Sequence, residues 1–234
     1  MRFNMKFTDL KSKYLESILT QLFILFSIIE IVAEFTDNQV ISTIFKPLLL
    51  PILLWIYLLS TKKASKIYGI GLILNWLANI FFISKDIDFI TTASLLFMLS
   101  RIFILIKVYY EVKFPSFFPL VIGTIPFLFL FTYLNQLIFE NIDFNTMIIV
   151  FVQSIIVSIF GGLAIGNYVM KNNISSILLL VAALFFTLNI FLLGIKFYYL
   201  DLIFLKPLSM VFFLAGHFAL LKFVLSSEKE QKVY

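Results

Sequence analysis

Residues 174–195 read ISSILLLVAALFFTLNIFLLGI, 22 positions without one charged side chain. At a rise of about 1.5 Å per residue, such a run makes a helix of roughly 33 Å, and the hydrocarbon core of a bilayer is about 30 Å thick. A β-barrel strand would instead alternate apolar and polar side chains over about ten residues. Here the apolar run is continuous, so the segment predicts a transmembrane helix.

Seven more runs of the same kind flank it. They cover 17–35, 43–60, 67–84, 88–110, 117–134, 144–168 and 202–225. The expected fold is therefore all-α, a polytopic membrane bundle of about eight transmembrane helices, because each run approaches the roughly 20 residues a span needs. The connections are short, which predicts that consecutive helices are antiparallel neighbours. The composition agrees: of 234 residues, 62% are hydrophobic and 13% charged, and mean hydropathy is +1.05. A soluble domain is usually about 45–50% apolar and 25% charged. The whole chain, 1–234, reads as one domain, with short tails at 1–16 and 226–234.

Loop charges set the expected orientation, because Lys and Arg concentrate on the cytoplasmic side. Arg2, Lys6, Lys11 and Lys13 precede the first span. Lys62, Lys63 and Lys66, then Lys107 and Lys113, Lys171, and finally Lys222, Lys229 and Lys232 fall on the same side. The opposite loops carry a poorer, mixed set: Asp37, Lys85, Asp86, Asp88, Glu140, Asp143, Lys196 and Asp201. Both termini are thus expected in the cytoplasm. The first span reads as a signal anchor, since no small-x-small cleavage site follows it. The net charge of +5 sits in these loops and tails, so it is a topology signal and not one for nucleic acid. Heavy use of Phe, Ile, Lys and Asn suggests an AT-rich bacterial genome, which makes the inner membrane the expected location.

Ionisable groups inside a membrane bundle are costly and are functional hypotheses by default. The first span carries Glu30 and Glu34 on one helix face. The third carries Asn75 and Asn79 at the same spacing. Arg101 lies mid-span in the fourth, Gln153 and Asn167 in the sixth, Thr187 and Asn189 in the seventh, and His217 in the eighth. Lys46 and Lys206 enter from the side opposite the termini, each in a Lys-Pro-Leu element. Glu30, Glu34, Asn79, Asn189, Lys46, Lys206 and Arg101 together predict one polar cavity open toward that side, in which Glu30 or Glu34 partners Arg101, since a buried cation needs a counter-charge. The plainer alternatives are interhelical hydrogen bonding for Asn75, Gln153 and Asn167, an interfacial position for Glu34, snorkelling for the two lysines, and a packed structural role for His217. Cysteine is absent and there is one histidine. Disulfides, thiolate or His-rich metal sites and Ser-His-Asp triads therefore lack material, and no Gly-rich phosphate loop or Gly-x-Ser-x-Gly elbow occurs. No cofactor or metal is expected.

Phe45-Lys46-Pro47-Leu48 opening the second span and Phe213-Leu214-Ala215-Gly216-His217-Phe218 in the eighth resemble the YhhN-type membrane proteins, the lysoplasmalogenase family. Residues 72–82, 96–110 and 182–189 follow the family in order, so the resemblance covers nearly the whole chain. It implies an eight-helix bundle that hydrolyses the vinyl-ether bond of lysoplasmalogens, releasing an aldehyde. That chemistry needs an acid to protonate the vinyl ether. Lys46 and His217 match the family pattern. The third span usually carries Gly-Asp, where this chain has Ala78-Asn79. The fourth usually carries a His, where Arg101 stands, and the seventh has Leu188-Asn189 where Ser-Asp is frequent. Asn is no acid, and Arg is not deprotonated in proteins.

Three readings follow. A non-catalytic or divergent relative would bind lipid or serve as a subunit of a membrane complex, with Lys46, Arg101 and Lys206 as a cationic lining for a phospholipid headgroup. A hydrolase would use Glu30 or Glu34 as its acid. A transporter or sensor would have broken helices, for which only the fifth span, with Pro119 and Pro126, is a candidate. The expected partners are membrane lipids and other membrane proteins.

Overall fold

The structure, a computed structural model, describes residues 2–84, 86–112 and 117–230, with side chains of residues 2–11, 87 and 230 left aside. Lys85, Lys113 and Lys232, and the side chains of Arg2, Lys6 and Lys11, lie outside the described residues. Among the described residues eight α-helices follow one another: α1 (Arg2–Phe35), α2 (Gln39–Ser60), α3 (Lys66–Phe81), α4 (Ile87–Val112), α5 (Phe117–Ile138), α6 (Phe144–Lys171), α7 (Ile174–Tyr198) and α8 (Leu205–Glu230). A 3₁₀ turn, Phe139–Asn141, follows α5, and no strand occurs among the described residues. Seven of the helices are long and apolar enough to cross a membrane. The chain is an all-α, multi-pass integral membrane protein.

α3 is the exception in length. The sequence predicts a span over 67–84, but the helix stops at Phe81, and its 16 residues reach only about 24 Å. It still runs end to end between its neighbours. Near its start Tyr68 packs edge-on against Tyr57, late in α2. Near its end Trp76 reaches back to Pro47, early in α2, and Phe81 stacks on Phe89, early in α4.

The local signals are polar caps between apolar runs. Asn38 accepts from the Ile41 amide, and Asp143 accepts from the Asn145 and Thr146 amides. Asn172 ends α6 in the left-handed region at φ 42°, and Asn173 at once opens α7 with a capping box to Ser176. Each satisfies amides or carbonyls that a helix end leaves open. Inside α2, Pro51 has no N–H to give the carbonyl four residues back, which is that of Pro47. The Trp76 indole N–H takes that carbonyl at 2.8 Å, so α3 supplies the hydrogen bond the proline removed. α5 runs continuously through Pro126, so the expected candidate for a broken helix is intact.

α8 is the central pillar: 67% of its most apolar 18-residue stretch is buried, against 22% for that of α5. It packs on α7, α1, α2 and α4, while α5 rests on α6 and α7 at the periphery. Small residues set the closest approaches, as expected where helices pack without a hydrophobic driving force between them. A Cβ at Gly216 would lie 2.9 Å from the Phe186 ring, and one at Gly162 would lie 2.7 Å from the Leu120 carbonyl oxygen. The α7–α8 and α5–α6 contacts therefore both depend on glycine. Large apolar side chains such as Phe129, Ile125 and Val32 point outward, as lipid contact requires.

Candidate functional site

With antiparallel helices, the end opposite the termini gathers the close of α1, the start of α2 and the start of α8. Glu30 and Glu34 are one turn apart and share a face of α1. Ser42 and Lys46 are one turn apart on α2 and run back past them. Ser42 Oγ donates to Glu30 Oε1 at 2.6 Å. Lys46 Nζ donates to Glu34 Oε1 and stands 3.4 Å from Glu30 Oε1. Lys206 completes the group from α8, with Nζ 2.8 Å from Glu34 Oε2. Glu30, Glu34 and Lys46 are buried, and Lys206 keeps a quarter of its side chain exposed.

This corrects the expected electrostatics. Two ammonium groups face two carboxylates, so the lysines are charge-balanced and do not form a cationic lining. Arg101 differs more sharply. The sequence expectation gives it Glu30 or Glu34 as partner, yet no described carboxylate pairs with it. The reason is topological: α1 packs on α2 and α8, whereas Arg101 stands on α4, against α3, α6 and α8. Arg101 is buried, its guanidinium lies 3.7 Å from the centroid of the Phe186 ring, and its Nε and Nη1 have no hydrogen-bond partner.

A roomy vestibule of about 660 Å³ opens at this end of the bundle. Its polar wall includes Glu34, Asp37, Lys196, Asp201 and Lys206, and its apolar wall Phe35, Phe82, Phe197 and Ile203. Two narrow crevices, of about 30 and 40 Å³, lie deeper. The first touches Lys46, Asn79 and Asn189, and the second touches Arg101, Gln153 and Asn189. Phe82 and Phe197 line all three spaces and stack with centroids 5.9 Å apart. They form the threshold between the vestibule and the interior. Glu34, Lys46, Asn79, Arg101, Gln153, Asn189 and Lys206 line these spaces, with Arg101 in a different one from Lys46 and Lys206, while Glu30, Asn75 and His217 line none of the three.

Of the remaining polar groups, Asn75 and Asn189 bind helix to helix, and Asn79 and Thr187 bond within their own helices. Asn75 Nδ2 donates to His217 Nε2 at 2.6 Å, joining α3 to α8. Asn79 Nδ2 donates to the Asn75 carbonyl, and Asn189 Nδ2 donates to the Ser209 carbonyl on α8. His217 also packs edge-on against Phe186 and Phe213. Phe186 thus carries Arg101 against its face and His217 at its side. Thr187 donates to the Ala183 carbonyl in its own helix, a common way for a mid-span hydroxyl to satisfy itself.

A second buried network, at the end carrying the termini, was not anticipated. Glu228 near the end of α8 accepts from Tyr57 Oη at 2.8 Å, Thr61 Oγ1 at 2.9 Å and Lys107 Nζ at 2.8 Å. Lys107 also donates to Glu111 at 2.6 Å, and Tyr57 Oη accepts from the Ser65 amide at 2.7 Å. The sequence reading treats Lys107 as a loop-flanking charge and 226–234 as a tail, whereas α8 runs to Glu230 and docks. The one local signal was Lys107 and Glu111 four residues apart, which puts them on one helix face.

No family model, no curated protein and no solved structure matches this chain.

Proposed function

We propose that the protein is a YhhN-type, lysoplasmalogenase-like membrane protein that has left catalysis and binds a lipid, with its headgroup in the vestibule. The vestibule carries this reading. At about 660 Å³ it falls in the usual 300–1,000 Å³ range of small-ligand sites. Its wall joins charges of both signs to Phe35, Phe82 and Ile203, which suits a zwitterionic headgroup on a hydrocarbon chain. Non-catalysis is supported by Asn79 and Arg101, which stand where the family has Asp and His, and by the lack of a carboxylate beside Arg101. A bacterial inner membrane, with both termini in the cytoplasm, is the accompanying proposal from the loop charges.

Ile203 is 72% exposed, so Ile203→Trp narrows the vestibule without disturbing packing. Protein purified in mild detergent should retain about one phospholipid per chain, and Ile203→Trp should lower that several-fold at an unchanged melting temperature. Equal lipid in both proteins would end this reading.

One observation favours the hydrolase instead. Glu30 is buried, and its Oε2 has no hydrogen-bond partner, so one carboxyl oxygen is left unpaired in a low-dielectric setting, where a carboxyl can serve as an acid. The same preparation, given a lysoplasmalogen, decides this point. Aldehyde release that is abolished by Glu30→Gln would make the protein an enzyme.

A further inference from the structure

A guanidinium in a membrane interior ordinarily has a carboxylate, a ring of carbonyls or water around it. Arg101 has the Phe186 face on one side and no counter-charge among the described residues. It is 4% exposed and lines the deeper crevice beside Gln153 and Asn189. The ion-paired lysines at the mouth do not share this condition, because Glu34 and Glu30 neutralise them. The positive charge that lacks a partner is thus in the crevice, not in the vestibule.

We infer that Arg101 is the seat of an anion-binding site, and that its ligand is an organic carboxylate. A planar guanidinium matches a planar carboxylate in shape and charge. Size separates carboxylate from phosphate. The crevice is narrow, about 40 Å³, which favours a small planar carboxylate head over a bulkier tetrahedral phosphate. The rest of the wall, including Phe97, Leu193 and Phe197, is apolar and would accept carbon next to the head. The carboxylate could belong to a small free acid or to the head of a fatty acid. A chain longer than the crevice would leave it past Phe82 and Phe197, which also line the vestibule.

The test is equilibrium dialysis of the detergent-purified protein with radiolabelled dodecanoate and acetate, and with dodecanol as an uncharged competitor. Dodecanoate should bind saturably at one per chain, and dodecanol should compete at least tenfold more weakly. Arg101→Gln should weaken dodecanoate at least tenfold, and Arg101→Lys should retain part of the affinity. Acetate displacing dodecanoate would identify a small-acid site, and acetate without effect a fatty-acid head site. Equal binding of dodecanoate and dodecanol by the unmodified protein would overturn the proposal without any variant. So would undiminished binding by Arg101→Gln. A purely structural arginine is separated by melting temperature: ligand-free Arg101→Gln should melt at or above the unmodified protein.

Discussion

Glu34→Ala should cost about 3–5 kcal/mol of stability, the usual penalty for leaving buried charges without their partner. Glu34 is the only described carboxylate that pairs with Lys206, and Lys46 donates to it as well. Its removal leaves Lys206 without a described counter-charge and Lys46 with Glu30 alone, at 3.4 Å. Glu30→Ala should cost less, because Lys46 keeps Glu34 and the lost Ser42 contact is a single hydrogen bond. Lys206 is a quarter exposed, so solvent relieves part of its loss, and the effect of Glu34→Ala should come mainly through Lys46. A double-mutant cycle by thermal or denaturant unfolding in mild detergent measures this. Coupling of Glu34 to Lys46 should exceed its coupling to Lys206. Glu30→Ala more damaging than Glu34→Ala would mean that the pairing described here is not the one that holds α1 to α2.

The spans were legible because lipid imposes one demand, a long apolar run with its backbone bonded internally. Residues 174–195 need no tertiary information to be read as a helix. Helix ends were less legible where apolar residues continue past the last turn. Phe82 looks like part of the third span, yet it follows the helix end and turns its ring onto Phe97 and Phe197. Depth along the bundle could also be inferred, because alternating helix direction fixes which residues share an end. This correctly brought Glu30, Glu34, Lys46 and Lys206 together. Lateral position could not be inferred. Which helix faces which depends on glycine contacts such as Gly216 on Phe186, and a sequence shows the glycine without its partner. The expectation that paired Arg101 with α1 failed for that reason: α1 packs on α2 and α8, and α4 packs on α3, α6 and α8.

The same limit hid the network at the other end, where the second large effect is expected. Glu228 stands six residues before the last residue of the sequence and reads as part of a solvated tail. In the structure it joins three helices, through Tyr57 and Thr61 at the end of α2, Lys107 on α4, and its own α8. Its carboxylate accepts two hydroxyls and one ammonium, so Glu228→Ala removes three acceptor contacts at once. Lys107 would keep Glu111, which limits the charge penalty. Tyr57 would lose its acceptor in a buried position, at about 1–3 kcal/mol, and Thr61 would keep only the longer contact to the Lys63 carbonyl at 3.4 Å. The sum should be about 3 kcal/mol, and it should appear as early opening of the termini end. Glu228→Gln keeps an acceptor oxygen for Tyr57 and Thr61 and removes only the charge, so it should recover about half of the loss. Hydrogen exchange in detergent should localise the damage. Amides of 57–68 and of the last two turns of α8 should lose protection, while those around Glu34 keep theirs. Uniform loss along all eight helices would instead mean that the bundle opens as one unit, with no separate latch at its terminal end.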